Sequence, residues 1–345
     1  MKDNEGCAEP VNTEITVRQT LGIAHPACHP HPTCFTGRER VYRQFALLCS
    51  IVAALSAPSA ARAAEAEPCR EIRLRFETIK PQISAIEVSL TLFSAVDKNC
   101  LDLVTELLDH GASVDARDRL GARPLSHAAR FGHLAMLDLL LARGAPLDAR
   151  NLAGATALFV AADGNHTQVA QRLIERGADV NIAGRSGVTP VAAAAYKGND
   201  AIVEALLAHG ADDRVPDQTG KLPVVYAAAG ARLDVATRLL ARNIDINARY
   251  PNELTLLMWA SGPDESAPET QAIKVVEQLL DAGARIDDRD ARGRTALMIA
   301  AEGGRSGIAS LLLARGADPS LKDKAGKRAV DLTVLTSLRE RLTPR

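Results

Sequence analysis

Cysteine and histidine, two of the residue types that most often carry chemistry, are concentrated near the N-terminus of this 345-residue chain. Between His25 and Cys34 the sequence reads HPACHPHPTC, and these two residue types are common zinc ligands. Zinc sites hold their ligands in pairs at standard spacings, whereas no second pair follows this segment. We therefore predict that residues 25–34 bind no metal.

Sequence motifs for catalysis are also missing. The chain contains no glycine-rich phosphate loop, no H-E-x-x-H pair and no nucleophile elbow. His127, His133 and His166 are not part of any of these catalytic motifs. The formal net charge of −1 excludes the strongly basic composition of many nucleic-acid-binding proteins. We predict no enzyme activity, no cofactor and no nucleic-acid partner.

Residues 1–63 contain the parts of a secretory signal peptide. Three arginines precede the apolar run Phe45–Leu55, and a small-residue stretch ends at Ala61-Arg62-Ala63. We predict cleavage after Ala63, export to the periplasm and no stable membrane anchor afterwards, with secretion as the alternative. A signal peptide that starts forty residues into a chain is unusual. We hypothesise that translation begins near Val41; a long leader is the alternative.

Cleavage after Ala63 would leave two cysteines, Cys69 and Cys100. Exported proteins commonly form disulfides, so these two thiols could pair and tie the segment after the signal peptide to the first helices. Alternatively, Cys100 is a buried free thiol. The sequence leaves both possibilities open.

The elements that would position any functional residue follow from a 33-residue repeat. Two series of mostly glycine positions recur at this spacing, and both are interrupted by the same seven-residue insertion. Two independent series with one shared interruption establish the repeat. The first series is Gly121, Gly154, Gly187, Gly220, Glu253, Gly293 and Gly326; the second is Gly111, Gly144, Gly177, Gly210, Asn243, Gly283 and Gly316.

Each unit reads as two helices. A start such as Thr189-Pro190-Val191 supplies an N-cap and a proline suited to the first helical turn. A pair of alanines follows, for example Ala194-Ala195, whose small side chains allow close helix packing. A second apolar-periodic helix then ends at the second-series glycine, which favours the left-handed conformation of a helix C-terminus.

These units resemble ankyrin repeats, most clearly in the stretches 144–150 (GAPLDAR) and 177–181 (GADVN). The resemblance implies an all-α solenoid of stacked helix-turn-helix units with short hairpin tips. The histidine of the family signature is replaced throughout, which puts the hydrogen bonds between neighbouring repeats in doubt. The replacing residues are Ser126, Phe159, Ala192, Val225, Met258 and Met298.

The repeat predicts the domain organisation. An N-terminal capping segment, 64–87, precedes the repeat domain, 88–345. A degenerate first repeat spans 88–120, and residues 326–345 form a C-terminal cap without a full second helix. The six complete repeats are 121–153, 154–186, 187–219, 220–252, 253–292 and 293–325.

The resemblance implies a non-enzymatic, monomeric scaffold that binds a partner protein on its concave face. The alternatives are a secreted effector that binds a host protein and a regulatory subunit that associates with an enzyme. Residues at the hairpin tips and after the alanine pairs are expected to face the partner. They are Arg119, Arg130, Phe131, Asp163, Arg185, Tyr196, Lys197, Lys221, Tyr250, Arg292 and Arg294.

Three features remain open at this level. Trp259 is either a core residue or an anchor for the partner. The insertion Gly262–Pro268 is expected to extend the turn between two helices as a solvent loop. Two rows of basic residues, which include Arg143 and Arg150, are expected to be structural, because cations at helix C-termini complement the helix dipole.

Overall fold

The structure is a computed structural model that describes residues 66–79, 84–262 and 267–342. Within these residues the fold is all-α, with seventeen α-helices and no strand, which confirms the predicted class. None of these helices is long and apolar enough to cross a membrane. The signal peptide, its cleavage site, the alternative start at Val41 and the segment His25–Cys34 lie outside the described residues.

Most of the helices form consecutive pairs of a first and a second helix. The first helices are α2 (Ala85–Asp97), α4 (Pro124–Phe131), α6 (Ala157–Asp163), α8 (Pro190–Lys197), α10 (Pro223–Ala229), α12 (Leu256–Ser261) and α14 (Ala296–Glu302). The second helices are α3 (Leu101–Asp109), α5 (Leu134–Ala142), α7 (Thr167–Glu175), α9 (Asp200–Ala208), α11 (Leu233–Leu240), α13 (Glu269–Asp281) and α15 (Ser306–Ala314). The terminal helices are α1 (Glu67–Ile79), α16 (Ala329–Leu332) and α17 (Thr336–Leu342).

The first helices begin where the sequence indicates. Four of them have a threonine N-cap whose side-chain oxygen accepts a hydrogen bond from the backbone N–H three residues later. Such a cap contributes about 1 kcal/mol. The capping residues are Thr156, Thr189, Thr255 and Thr295.

The second helices end at the predicted left-handed positions. Every glycine of the second series has a positive φ, and Asn243, which replaces glycine there, has a φ of 59°. Asparagine is one of the few other residues that tolerate this conformation.

Stacking of neighbouring pairs forms one continuous core. Each first helix packs against the next first helix, and each second helix against the next second helix. The alanine pairs lie between the first helices and are at most 1% exposed. The core therefore grows by one repeat at a time, as expected for a solenoid.

The N-terminal end begins earlier than the sequence predicts. Helix α2 starts at Ala85, where Ser84 and Glu87 form a capping box, so the predicted boundary between residues 87 and 88 falls inside a helix. Helix α1 packs on α2, and a disulfide joins Cys69 of α1 to Cys100. Of the two possibilities for these cysteines, the structure contains the disulfide.

The C-terminal cap and the repeat with the insertion depart from the regular helix pair. The cap keeps a second helix, α17, because Leu338 and Leu342 are buried against the last full repeat. Helix α13 begins directly after the insertion and has 13 residues, whereas α7 has 9, so this repeat also has a longer second helix. Glu269, at the start of α13, accepts hydrogen bonds from the backbone N–H groups of Gly307 and Ile308 in the next repeat.

Two other rows of side chains link neighbouring repeats where the signature histidine is missing. In the first row, His133, His166 and Arg232 each donate to a backbone carbonyl of the preceding repeat, over 2.7–3.1 Å. In the second row, Arg150 and Arg289 each donate to a carbonyl of the following repeat, at 2.9 Å and 2.8 Å. These bonds do not depend on the signature histidine.

Candidate protein-binding surface

The hairpin tips are built by a recurring carboxylate or amide. One Oδ1 atom in each of five tips accepts hydrogen bonds from the backbone N–H groups two and four residues later. Such Asx geometry fixes the turn locally. The tips therefore offer backbones that are ordered before any partner binds. The capping residues are Asp118, Asn151, Asp217, Asp290 and Asp323.

The two other tips lack this residue and turn differently. Gly184 and Tyr250 occupy the equivalent position, and each is followed by a short 3₁₀ turn. In these turns Ser186, Asn252 and Glu253 have φ values of 58–63°, in the left-handed region. Glu253 stands where the other units have glycine, so this tip carries backbone strain.

Tyr250 was predicted to face the partner, but it is buried, with 7% of its surface exposed. It occupies the turn-capping position, whose side chain points back into the stack, as those of Asp217 and Asp290 do. Burial, followed by the charge of Asp245, raises its pKa to about 12. Tyr250 therefore belongs to the core.

Most other predicted residues are exposed on the surface formed by the tips and the C-terminal ends of the first helices, which we name the tip surface. Lys221 and Arg294 are half-buried. Arg294 is ion-paired with two carboxylates, because its guanidinium lies 2.8 Å from Asp290 and 2.5 Å from Glu302. It is therefore a structural residue at the edge of the surface. The exposed residues are Arg119, Arg130, Phe131, Asp163, Arg185, Tyr196, Lys197 and Arg292.

A cavity of about 430 Å³ lies at the N-terminal half of the tip surface, and we name it the N-terminal cavity. Arg130 and Asp163 line it, together with His127 and Phe159. The Arg130 guanidinium lies 6.0 Å from the ring centroid of its neighbour Phe131. The structure thus brings these predicted residues together around one opening.

A second group of side chains makes contacts between neighbouring repeats in the middle of the stack. The Lys197 ammonium lies 3.5 Å from Asp163 Oδ1 and 5.7 Å from the ring centroid of Tyr196. The ring of Tyr196 meets that of Tyr226 edge to face, with the centroids 6.2 Å apart. Aromatic pairs in this geometry are favourable beyond the area they bury.

A cavity of about 500 Å³ lies at the C-terminal half, and we name it the C-terminal cavity. Its walls combine Tyr196, Met258, Trp259 and Ile299 with the Arg294–Glu302 pair. Trp259 is half-buried; it packs against the core and also lines the cavity. Both roles considered for Trp259 are therefore compatible with its position.

Tyr226 was not predicted from the sequence. Its hydroxyl donates to Asp217 Oδ2 over 2.5 Å, and Lys221 lies 5.6 Å from its ring centroid. Burial, and then the hydrogen bond to Asp217, raise the pKa of Tyr226. Burial opposes ionisation of Asp217, but hydrogen bonds from Tyr226, Lys221 and Thr219 outweigh it and lower the pKa of this carboxyl.

The signal for Tyr226 was present in the sequence. It stands 33 residues before Trp259, in the column that directly follows the substituted signature histidine. Four members of this column line the two cavities: His127 and Val160 the N-terminal one, and Trp259 and Ile299 the C-terminal one. Its members are His127, Val160, Ala193, Tyr226, Trp259 and Ile299.

The basic residues at the ends of the second helices, which we name the helix-end row, do not form a free cationic surface. Four arginines of this row make ion pairs with aspartates in the preceding repeat. The two histidines hydrogen-bond to a carbonyl of their own helix at 2.8 Å. The row comprises His110, Arg143, Arg176, His209, Arg242 and Arg315.

Comparison with known proteins agrees with this architecture. A family model described as ankyrin repeats (3 copies) matches residues 92–184 and 182–250, and one described as ankyrin repeats (many copies) matches residues 279–332. The human ASB11 ankyrin repeat domain superposes with a TM-score of 0.57 at 29% identity, over 65% of this chain and 100% of that domain.

The mouse protein "Ankyrin repeat domain-containing protein 63" is 36% identical over 85 residues, which is 25% of this chain and 21% of the mouse protein. The chain thus matches about a fifth of the length of that relative. The glycine series, the stacked helix pairs and these matches lead to one conclusion: the chain belongs to the ankyrin-repeat family.

Proposed function

We propose that this chain is a non-enzymatic scaffold that binds a partner protein on the tip surface, which corresponds to the concave face of the ankyrin stack. The observation that carries the proposal is a set of large apolar side chains held exposed on ordered tips and helix ends. Leu120, Phe131, Leu152 and Tyr196 are 64%, 45%, 81% and 41% exposed. Such side chains grouped on one surface are typical of a protein interface.

The surroundings of these side chains support binding. Aromatic residues and arginine supply much of the binding energy at protein interfaces, and Phe131, Arg130 and Tyr196 lie beside the two cavities. The Asx bonds at the tips hold the backbone in place, so little conformational entropy is lost on association.

We also propose that the protein is exported and works in the periplasm. The signal-peptide pattern of residues 1–63 supports this, and so does the Cys69–Cys100 disulfide, because disulfides persist in oxidising compartments. Cell fractionation with N-terminal sequencing tests the proposal. We expect a periplasmic protein that begins at Ala64. Recovery only from the culture supernatant would favour a secreted effector, and recovery from the cytoplasm would contradict export.

Affinity capture from an envelope extract tests the binding surface. The full chain is compared with Tyr196→Ala and Arg130→Ala, which remove side chains from the tip surface, and we expect both to lose the captured partner. Leu74→Ala and Arg285→Ala are matched controls, because each removes an exposed side chain of similar type elsewhere. If Tyr196→Ala and Arg130→Ala retain every partner, the tip surface is not the binding site.

A further inference from the structure

The tip surface carries more unpaired cations than unpaired carboxylates. Two of its exposed carboxylates are paired: Asp163 lies 3.5 Å from the Lys197 ammonium, and Glu302 lies 2.5 Å from the Arg294 guanidinium. Glu253, in a tip between those of Arg185 and Arg292, has no cation at ion-pair distance among the described residues. The aspartates of the turns are occupied by backbone N–H groups. Apart from Glu253, the carboxylates of this surface are therefore already engaged within the scaffold.

Several of its exposed cations, in contrast, have no such partner. Within the described part of the chain, four tip cations have no carboxylate at ion-pair distance, and we name them the tip row. Lys221, half-buried between the rings of Tyr226 and Trp259, adds a further positive charge without an acidic partner among the described residues. The whole chain has a net charge of −1, so this excess is local. The tip row comprises Arg119, Arg185, Arg292 and Lys324.

We infer that the partner presents an acidic segment in an extended conformation, which lies along the tip row and places one large apolar side chain in the C-terminal cavity. The inference rests on the proposed function and specifies the chemistry of its partner. Charge complementarity supplies the acidic character, since opposite potentials steer association and fix the register of a complex.

The spacing of the tip row sets the spacing of the acidic residues. Packed helices lie roughly 10 Å apart, and an extended chain rises about 3.3 Å per residue, so about three partner residues span one repeat. Arg119 and Arg185 are two repeats apart, and Arg185 and Arg292 three. Carboxylates about six and nine residues apart would reach them in turn.

The C-terminal cavity specifies the apolar side chain. Its volume of about 500 Å³ exceeds what one side chain fills, and Tyr196, Met258, Trp259 and Ile299 give it apolar and aromatic walls. The cavity lies between the tips that carry Lys221 and Arg292. An aromatic side chain of the partner would therefore contact the apolar walls of the cavity. Acidic residues on either side of it in the partner would lie near Lys221 and Arg292.

The pattern of charge favours a protein segment over a nucleic acid. A nucleic-acid strand carries a phosphate about every 3.4 Å. The cations of the tip row are one or more repeats apart, and the exposed Leu120 and Leu152 lie between the first two of them. This sparse cationic and apolar pattern fits alternating acidic and apolar side chains.

Trp259 allows a direct test, because it is the single tryptophan of the chain and lines the C-terminal cavity. The full chain is titrated with a synthetic peptide of about eighteen residues that has Glu at every third position and one central Phe. A second peptide replaces each Glu by Gln, a third replaces each Glu by Lys, and a fourth replaces Phe by Ala. Trp259 emission and calorimetry report binding.

We expect the Glu peptide with Phe to shift Trp259 emission and to bind at least tenfold more tightly than the other three. Its affinity should fall as salt is added, because the tip charges are exposed and therefore screened. If the Gln peptide bound as tightly as the Glu peptide, or the Lys peptide more tightly, the inference of an acidic partner would be wrong. An emission shift with the Ala peptide equal to that with the Phe peptide would overturn the apolar contact.

Variants locate the contact. The triple variant Arg119→Glu, Arg185→Glu, Arg292→Glu should bind the Glu peptide at least tenfold more weakly while keeping its helical circular dichroism. Arg285→Glu makes one substitution of the same type at an exposed residue outside the tip row and should bind normally. Equal weakening by Arg285→Glu would contradict the inference, as would displacement of the peptide by a single-stranded oligonucleotide.

The outcome can be separated from that of the proposed function. If Tyr196→Ala abolishes capture of the natural partner while the Glu peptide fails to bind, the tip surface remains the binding site and the acidic segment is wrong. If neither Tyr196→Ala nor Arg130→Ala affects capture, the proposed function itself is wrong.

Discussion

The helix-end row and the tip row both consist of cations at repeat positions, yet their surroundings differ. In the helix-end row, Arg143 lies 2.8 Å from Asp109 and Arg315 lies 2.7 Å from Asp281, each across a repeat boundary. In the tip row no carboxylate of the described residues comes within ion-pair distance of Arg119, Arg185 or Arg292. Periodicity alone therefore does not tell a structural cation from one available to a partner.

The difference lies in what the adjacent repeat offers. The helix-end arginines face acidic residues of the neighbouring unit, so stacking completes their ion pairs. At the tips, the nearby aspartates are already used by backbone N–H groups of their own turn. Asp118 and Asp290 thus stabilise the scaffold and leave Arg119 and Arg292 to the solvent, and the tip of Arg185 has Gly184 at the aspartate position.

The largest effect is expected at Asp290, which shares a tip with Arg292. Its Oδ1 atom accepts from the N–H groups of Arg292 and Arg294, its Oδ2 atom pairs with the Arg294 guanidinium, and it is 5% exposed. Asp290→Ala should cost about 2–3 kcal/mol, because buried donors lose their acceptor. Urea unfolding followed by Trp259 emission measures it.

Asp290→Asn is the matched control for this substitution. Asn151 makes the same two backbone bonds in another tip, so an amide oxygen suffices for the turn. The Asn variant should therefore keep more stability than the Ala variant. An equal loss in both would show that the ion pair with Arg294, and not the turn, carries the effect.

The next effect concerns the most buried pair of the helix-end row. Arg242 pairs with Asp213, which is 3% exposed, whereas the partner of Arg143, Asp109, has 58% of its side chain exposed. Arg242→Ala should cost about 2 kcal/mol, because a buried carboxylate loses its partner while the exposed side of the site admits some water. Arg143→Ala should cost well under ~1 kcal/mol.

Denaturant titrations of these two variants check the comparison within the helix-end row. A larger loss for Arg143→Ala than for Arg242→Ala would show that burial of the carboxylate does not set the contribution of these pairs.

A stabilising change is expected at the tip where glycine is missing. Glu253 has a φ of 60°, a conformation that costs a residue other than glycine about 1–2 kcal/mol. Glu253→Gly should raise stability by about 1 kcal/mol, since the greater freedom of glycine in the unfolded chain offsets part of the gain. Glu253→Ala keeps the strain and should give no gain in thermal unfolding. A gain with Ala equal to that with Gly would locate the penalty in the side chain.

A smaller, pH-dependent effect is expected between second helices. Hydrogen bonds from Arg238 to Asp200, both 2.6 Å long, are the main cause that lowers the pKa of this carboxyl. Because the pKa is lower in the folded than in the unfolded state, the stabilisation is present above the unfolded value and is lost as pH falls through the folded value.

Asp200→Asn tests this contribution. The pair is about one third exposed, so the variant should lose under ~1 kcal/mol at neutral pH and converge on the parent chain in acid. Denaturant titrations at several pH values measure the difference. A difference that stays constant into acid would exclude ionisation of Asp200 as its source.

The sequence predicted those parts of the structure that depend on local spacing. The glycine series and the threonine caps gave the helix pairs, because caps and turns act within a few residues. Tyr250 was misplaced because its tip lacks the aspartate that marks the buried turn position. The 33-residue column marks the position of Tyr226, but its bond to Asp217 and the pairing of Arg242 with Asp213 join residues brought close by the turn and the stack, which local spacing does not reveal.

The smallest effect on stability is expected from substitutions in the tip row. This prediction most directly tests the difference between the tip row and the helix-end row. Arg185→Ala and Arg292→Ala remove exposed side chains without an ion pair among the described residues, so each should change stability by no more than about 0.5 kcal/mol. Arg292 lies two residues from Asp290. Within one tip, Asp290→Ala should therefore cause a large loss of stability and Arg292→Ala a negligible one. A loss above about 1 kcal/mol in Arg292→Ala would place that arginine with the structural cations and remove it from the proposed partner contact.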